Sequence, residues 1–434
     1  MNRQILRLAI PNIITNITVP LLGLVDMALM GHLPNPVFIG AIALGSVVFN
    51  LVYTGFGFLR MGTTGFTSQL FGAKNKLGLN LILWRSVLTA AVLGILLIFL
   101  QKPIEFVAFS ILESGNDVIG LAKEYYQIRI WAAPATLGLY AFYGWFLGMQ
   151  NAKPPMIIAI TINIINIVLD FVFVYWFNYT SAGVAYASLI AQYTGLIMAI
   201  GMVLFKYPEY AKVPALRLIA KASELKKFFK VNTDIFFRTI ALMLSFTFFT
   251  YTSANMGENI LAVNSLLIQF FFIFSYFADG FAFAGEALSG KAYGSKSSKL
   301  LLKTIKSLFV WGAIAAVFFS FIYLVAYDII LNFLTNNDQL IFIAANFNWW
   351  VILLPITTFA AFIWDGVFIG LTASRQMLIA MIISIFGFYF PAYYLSSALL
   401  GNHSLWFAMN LFMAARSLFM WYFSVKLLKN IQSK

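Results

Sequence analysis

The chain has 434 residues, of which 62% are hydrophobic and only 10% are charged. A soluble domain contains roughly 45–50% apolar and about 25% charged residues, so this composition excludes a soluble protein and indicates a polytopic membrane protein. The net charge is +13, and the chain has no cysteine and two histidines. The absence of cysteine excludes disulfides, thiolate metal sites and cysteine nucleophiles.

Twelve segments are predicted to cross the membrane, because a transmembrane helix needs about 20 mostly apolar residues. In chain order these spans are 7–31, 38–68, 82–100, 120–149, 155–177, 182–205, 232–253, 260–287, 304–327, 340–371, 377–398 and 404–426. The predicted fold class is therefore an all-α polytopic membrane protein with 12 transmembrane helices.

The basic residues concentrate on alternate connections between these spans, as the positive-inside rule requires of cytoplasmic segments. This distribution predicts that both termini are cytoplasmic, and it explains the net charge without nucleic acid as a partner. The predicted outer connections contain few basic residues, Lys102 and Lys123 being the exceptions. Seven basic residues lie in 206–230, and the other predicted cytoplasmic ones are Arg3, Arg7, Lys74, Lys76, Arg85, Lys153, Lys291, Lys296, Lys299, Lys303, Lys306, Arg375, Lys426, Lys429 and Lys434.

The two halves of the chain are similar at a constant offset of 222 residues. Residues 144–153 (GWFLGMQNAK) match 366–375 (GVFIGLTASR), and residues 72–74 (GAK) match 294–296 (GSK). An offset of six spans keeps both halves in the same orientation. The prediction is two six-helix bundles related by a pseudo-twofold axis along the membrane normal, around a central cleft.

Three domains follow from this repeat: an N-terminal six-helix bundle over 1–205, a basic cytoplasmic linker over 206–230, and a C-terminal six-helix bundle over 231–434. The linker is partly amphipathic, so it can lie along the inner membrane surface. A solvated tether is the alternative.

Polar residues within the spans of the N-terminal half are candidates for function, because an ionisable residue inside a membrane is costly. Asp26, Asp170 and Ser188 lie at a similar depth, roughly 8–10 Å below the outer edge of their spans. Asn163, Asn166 and Asp170 share one helix face through their i, i+3, i+7 spacing. These hard oxygen ligands suit Na⁺, or the two carboxylates could share a proton. Local hydrogen bonding between helices is the structural alternative.

The C-terminal half lacks this arrangement, since the offset places Phe248 and Ala392 where the first half has Asp26 and Asp170. Its charged residues are expected in the inner parts of the spans. We interpret them as an ion-pair network that could close the inner side of the cleft, formed by Asp234, Arg238, Asp279, Glu286 and Asp365.

Two further patterns allow two interpretations each. Pro11 and Pro20 interrupt the first span close to Asp26, and the kink could respond to the charge of Asp26 or be fixed.

Aromatic residues make up 18% of the chain. They can simply pack or face lipid, or they can line a cleft that attracts flat lipophilic cations by cation–π contact.

Enzymatic chemistry has little support in the sequence. Two histidines leave little room for a histidine metal site, and neither a Gly-x-Ser-x-Gly nor a His-Glu-x-x-His motif occurs. Residues 285–291 (GEALSGK) approach a P-loop, but Ala292 replaces the hydroxyl residue that would bind magnesium. We therefore expect no enzyme and no cofactor other than a coupling ion.

Several motifs taken in order resemble the multidrug and toxic compound extrusion (MATE) family over essentially the whole chain. They are Val25-Asp26 with Gly31-His32, the run from Asn166 to Phe171, the run from Gly183 to Gln192, and the stretches 60–65 (RMGTTG), 279–286 (DGFAFAGE) and 365–370 (DGVFIG). The last three are similar to the prokaryotic DinF-like branch.

This resemblance implies a cation-coupled antiporter that exports organic cations and other xenobiotics through a V-shaped cleft, in a prokaryotic inner membrane. It implies coupling-ion ligands at Asp26, Asn166 and Asp170, with Ser188 at a position that is commonly threonine. Whether the ion is Na⁺ or H⁺ differs within the family.

Ion-coupled efflux by alternating access is thus the leading hypothesis, and two complete halves make a monomer sufficient. The main alternative is a flippase for a lipid-linked oligosaccharide or a related lipid, which would need cationic residues in the cleft to hold a pyrophosphate. A membrane-embedded enzyme and a channel are weaker alternatives, because the sequence offers neither a catalytic constellation nor rings of filter residues.

Overall fold

The computed structural model describes residues 1–31, 37–111 and 115–432, except the side chains of residues 19, 21, 22, 24, 26–28, 30 and 430–432. Almost all of this described part is helical, and it contains no β-strand. The helices are α1 (Asn2–Gly31), α2 (Val37–Gly55), α3 (Phe58–Gly72), α4 (Lys76–Phe99), α5 (Gln101–Ile111), α6 (Asn116–Arg129), α7 (Ala133–Gly148), α8 (Lys153–Phe171), α9 (Ser181–Lys206), α10 (Pro208–Ala211), α11 (Leu216–Ile219), α12 (Ala222–Asn255), α13 (Glu258–Gly294), α14 (Ser298–Leu334), α15 (Asp338–Ala344), α16 (Asn348–Gly370), α17 (Ser374–Ser384), α18 (Phe390–Leu400) and α19 (Asn402–Gln432).

Ten helical stretches of the described residues are long and apolar enough to cross a membrane. The other two predicted spans correspond to α1 and to α6 followed by α7. The structure thus confirms the predicted fold class, an all-α polytopic membrane protein.

Several predicted spans consist of more than one helix. The predicted span 38–68 is divided between α2 and α3, which meet at a turn around Gly55 and Gly57, because glycine is a poor helix former. The span 120–149 is interrupted by a 3₁₀ turn at Ile130–Ala132, just before Pro134. Proline lacks an N–H group, so it fits the first turn of α7, where that group has no partner within the helix. Sequence periodicity located the spans but not these breaks.

The contacts between α-carbons divide the chain into two compact units. We call Ile14–Phe228 the N-unit, and Met1–Ile13 together with Phe229–Lys434 the C-unit. Each unit has an aromatic core of its own: Phe142, Trp145 and Phe146 are buried in the N-unit, and Phe270, Phe274 and Trp406 in the C-unit. The domain boundaries at 205 and 231 stay a prediction.

The predicted repeat is visible in the backbone of both units. Residues with positive φ occur at Lys74 and Lys296 and again at Gln150 and Thr372, and both pairs are 222 residues apart. Such a left-handed conformation is uncommon outside glycine, so its recurrence at matched positions marks equivalent turns.

The same offset relates the closest helix contacts. In the N-unit, a Cβ on Gly144 of α7 would collide with the backbone of Arg60 in α3. In the C-unit, a Cβ on Gly366 of α16 would collide with the backbone of Ala282 in α13. Both pairs of positions differ by 222, so the two units pack equivalent helices through equivalent glycines.

Candidate functional site

The polar face of α8 contains a hydrogen-bonded pair in the interior of the N-unit. Asn166 and Asp170 lie one turn apart and are buried, at 1% and 0% exposure. The Asn166 Nδ2 donates to Asp170 Oδ2 at 2.9 Å. The i, i+4 spacing predicted that these side chains share a face, and the structure brings them into direct contact.

Ser188 extends this pair from the neighbouring helix α9. Its hydroxyl donates to Asn166 Oδ1 over 3.4 Å, and its exposure is only 4%. A close approach of α9 to α8 makes this possible, because Gly195 packs directly against Ile162 and leaves no room for a Cβ. We call Asn166, Asp170 and Ser188 the buried polar chain.

Asn163 connects the same face of α8 to α1 rather than to Asp170. Its Nδ2 donates to the Thr18 carbonyl at 3.1 Å, two residues before Pro20. The Asp26 side chain lies outside the described residues. Its backbone belongs to α1, six residues beyond Pro20, or about 9 Å along the helix axis.

A π-helical turn, Val172–Trp176, begins two residues after Asp170. Such wide turns are rare and occur frequently at functional sites, because they change the register of the side chains that follow. This turn could not be predicted from the sequence, since no residue pattern in residues 171–176 (FVFVYW) distinguishes it from a regular helix.

The buried polar chain places a carboxylate where water is scarce and gives it a neutral amide as donor. Burying a charge is costly, so a buried carboxyl group favours binding a cation or a proton. The Asp170, Asn166 and Ser188 oxygens are hard donors of the kind that Na⁺ prefers. The described residues contain no group of three His, Asp or Glu side chains suited to a transition or divalent metal.

The C-unit contains a different kind of buried acid. Asp365 of α16 accepts hydrogen bonds from Arg238 of α12 and from Arg416 of α19 through the same Oδ2 atom. All three residues are buried, with exposures of 7%, 6% and 3%. The three helices are therefore held together by two guanidinium groups on one carboxylate, a charge-assisted arrangement.

The other residues of the predicted ion-pair network fall into different surroundings. Asp234 accepts from the Ser374 hydroxyl at 3.0 Å and lies 4.0 Å from Arg375. Asp279 is close enough to Arg416 for an electrostatic interaction. Glu286 is buried at 1% exposure on α13.

Two buried arginines make contacts that were not predicted from the sequence. Arg416 is an isolated arginine in the last span, and nothing local relates it to Asp365, 51 residues earlier. Its position within an apolar span was the one available signal. Arg85, whose place in a cytoplasmic segment stays a prediction, lies within α4 and is buried, where it donates to the carbonyls of Leu218 and Ile219.

Comparison with known proteins is consistent with this fold and repeat. The MatE family model matches residues 11–172 and 235–395, one match in each half of the chain. DNA damage-inducible protein F of Escherichia coli K12 is 36% identical over 424 residues, covering 96% of this chain and 90% of that protein. The probable multidrug resistance protein NorM of Thermotoga maritima is 26% identical over 215 residues, covering 48% of this chain and 46% of that protein.

Solved structures share the same fold. A MATE structure in the bent conformation aligns with a TM-score of 0.89 at 19% identity, covering 99% of this chain and 96% of that one. An outward-facing multidrug resistance MATE transporter of the MOP superfamily aligns with a TM-score of 0.85 at 20% identity, covering 100% and 97%. The family match in both halves and the DinF relative over nearly the whole chain show that this protein belongs to the MATE family of multidrug and toxic compound extrusion transporters.

Proposed function

We propose that the protein is a secondary active antiporter that exports organic cations and lipophilic xenobiotics in exchange for Na⁺ or H⁺ by alternating access. Membership of the MATE family and relatives named for multidrug resistance support export of drugs. The protein acts as a monomer in the inner membrane of a prokaryote, with both termini in the cytoplasm.

The observation that carries the proposal is the buried polar chain. Asp170 is fully buried in a membrane protein, and its carboxylate accepts from the neutral Asn166 amide. A carboxylate buried inside a membrane protein is costly to keep charged, so this position favours a bound cation or proton. We assign the coupling ion to Asp170, Asn166 and Ser188, with Asp26 and Asn163 completing the site from α1 and α8.

Exchange follows from the competition of two cations for one negative region. When the coupling ion neutralises Asp170, the N-unit loses its attraction for a cationic substrate. When the ion leaves, the attraction returns. Each ligand shifts the conformational equilibrium by its differential affinity for the two states, and the coupling between them is reciprocal.

Asn166 can serve both charge states of Asp170. An amide carries two donors on nitrogen and an acceptor oxygen. It donates to an ionised carboxylate, as here, and after rotation of the amide its oxygen can accept from a protonated one. After that rotation the Ser188 hydroxyl can accept from the amide nitrogen, because a hydroxyl both donates and accepts.

The C-unit network has a structural role in this proposal. Asp365 with Arg238 and Arg416 ties three helices together. Asp234, Asp279 and Glu286 lie in the same unit, and with this triad they stabilise the inner part of the C-unit.

The test is dye export from proteoliposomes driven by an imposed Na⁺ gradient or pH gradient. Asp170→Asn is compared with the wild type and with Asp117→Asn, which changes an exposed acid of the same unit. We expect one gradient to drive export, Asp117→Asn to transport normally, and Asp170→Asn to be inactive.

Two results would contradict the proposal. Export by Asp170→Asn at the wild-type rate would remove the coupling site. If neither gradient moved the dye in any variant, antiport would be wrong, and a flippase for a lipid-linked oligosaccharide or related lipid would become the better hypothesis.

A further inference from the structure

The segment that follows α9 is attached to the N-unit along its length. Asn80 of α4 donates to the carbonyls of Tyr210 and Lys212 at 2.9 and 3.0 Å, and the Trp84 Nε1 also donates to the Tyr210 carbonyl at 3.1 Å. Arg85 donates to the carbonyls of Ile219 and Leu218 at 3.0 and 3.4 Å. All five hydrogen bonds join α4 side chains to backbone carbonyls, so they fix the path of the segment whatever its side chains are.

One side of this segment is buried against the N-unit. Tyr210 and Ile219 are each 4% exposed, and the Tyr210 ring packs edge-on against Trp145 with 5.5 Å between centroids. The interpretation of residues 206–230 as a freely solvated tether therefore does not describe residues 207–219. The segment is a docked strap between α9 and α12.

The strap also exposes apolar and basic side chains that are close together in the chain. Val213, Leu216 and Leu218 are 58%, 66% and 43% exposed within the described structure. Lys212, Arg217 and Lys221 alternate with them and are exposed. We call these six residues the strap surface.

Charge and location favour one occupant for this surface. Residues 206–230 contain seven basic residues and two acidic ones, Glu209 and Glu224. The strap runs from the end of one candidate membrane span, Ser181–Lys206, to the start of another, Ala222–Asn255. It therefore lies at the level where a bilayer has its headgroups. Apolar side chains interleaved with cations are typical of segments that bind anionic membrane surfaces.

We propose that the strap surface binds anionic phospholipids of the adjacent leaflet, with Lys212, Arg217 and Lys221 on the phosphate groups and Val213, Leu216 and Leu218 inserted below them. The contacts from Asn80, Trp84 and Arg85 hold the strap in the orientation that presents these side chains. This site is separate from the buried polar chain and does not depend on the ion-coupled transport proposed above.

The test uses the absence of cysteine in the chain. Leu216→Cys introduces a unique thiol at an exposed position, which is labelled with an environment-sensitive bimane fluorophore. The protein is reconstituted in nanodiscs of phosphatidylcholine alone or of phosphatidylcholine with phosphatidylglycerol, and quenching by neutral acrylamide is measured. We expect quenching to be several-fold weaker, and the emission blue-shifted, in the phosphatidylglycerol nanodiscs.

Two charge variants in the Leu216→Cys background distinguish local recognition from net charge. Lys212→Gln, Arg217→Gln and Lys221→Gln together should abolish the difference between the two lipid compositions. Lys296→Gln, Lys299→Gln and Lys303→Gln remove the same charge from exposed positions of the C-unit, and should leave the difference intact.

Three results would overturn the inference. Equal quenching in both nanodiscs would show that anionic lipid is not selected. Loss of the lipid dependence in the Lys296, Lys299 and Lys303 variant would show a response to net charge alone. Protection that rises with protein concentration in lipid-free detergent would identify a second copy of the chain as the occupant.

Discussion

Asn166 takes part in both hydrogen bonds of the buried polar chain, as donor to Asp170 and as acceptor from Ser188. A side chain with one fixed polarity could not do both. The carboxamide therefore transmits the charge state of Asp170 on α8 to a hydroxyl on α9. The Asn and Asp spacing could be predicted from the sequence because both residues share a helix. The Ser188 contact required knowledge of how α8 and α9 pack.

Ser188→Ala tests the contribution of Ser188 to the buried polar chain. The substitution removes one hydrogen bond to Asn166, and a net hydrogen bond contributes about 1 kcal/mol. We expect the affinity for the coupling ion to fall by up to about tenfold, with export reduced and not abolished. The control is Thr194→Val on the same helix, whose hydroxyl bonds the Ile190 carbonyl of its own helix. Equal affinities in Ser188→Ala and the wild type would exclude Ser188 from the site.

Asp365 is expected to matter for stability. Asp365→Asn leaves Arg238 and Arg416 buried without their shared carboxylate, and breaking a buried charge pair costs about 3–5 kcal/mol. Arg375→Gln removes a 69% exposed side chain that lies 4.0 Å from Asp234, so it should cost less than about 1 kcal/mol. Unfolding of the purified protein in detergent, followed by circular dichroism, compares the two. Similar stability losses would contradict the structural role of the triad.

At the level of helices, the glycines of α7 and α16 allow close contacts with the backbone of a neighbouring helix in each unit. Gly366→Ala would place a methyl group against the Ala282 backbone, which cannot move aside as a flexible side chain can. Overpacking of this kind costs about 1–3 kcal/mol. Gly201→Ala in α9 meets no atom within 4 Å, so it should be neutral or stabilise by up to about 1 kcal/mol. Equal melting temperatures for the two variants would contradict this packing.

A second prediction at the level of helices concerns how Arg85 of α4 holds the strap. Arg85→Met removes both hydrogen bonds to the carbonyls of α11 and should release the part of the strap around α11, while Asn80 and Trp84 still hold Tyr210 and Lys212. Bonds to charged groups contribute about 1.5–3 kcal/mol each, so trypsin cleavage at Arg217 and Lys221 should accelerate by at least roughly tenfold. The control, Lys76→Met, removes an exposed ion pair with Glu209 and should have little effect. Unchanged cleavage in Arg85→Met would show that Arg85 does not hold the strap.

The membrane spans could be predicted from the sequence, whereas the turns that interrupt them could not. Apolar runs located every span, because the membrane imposes length and hydrophobicity on each one. The turn near Gly55 and Gly57 and the π-helical turn Val172–Trp176 could not be predicted, since they are decided by packing and backbone register within runs of uniform hydrophobicity. The burial of Arg85 could not be predicted for a related reason. It depends on carbonyls that lie 133 and 134 residues later in the chain.

For the whole molecule, the 222-residue offset predicted a repeat, and the matched positive-φ residues and glycine contacts confirm it. The repeat does not extend to the charges. The N-unit buries Asp170 in contact with the Asn166 amide, and the C-unit buries Asp365 in contact with Arg238 and Arg416. A duplicated fold has thus kept its packing and diverged in electrostatics. This divergence is why we assign ion coupling to the N-unit alone.

The most direct test of that assignment is the linkage between the two ligands at equilibrium. Binding of tetraphenylphosphonium to the purified protein is measured by calorimetry across a pH series, with and without Na⁺. A competing proton should make binding tighter as pH rises, by up to about tenfold per unit, and a competing Na⁺ should weaken it at constant pH. We expect one of these dependences in the wild type and neither in Asp170→Asn. Affinity that is independent of both ions in the wild type, or an unchanged dependence in Asp170→Asn, would contradict that assignment.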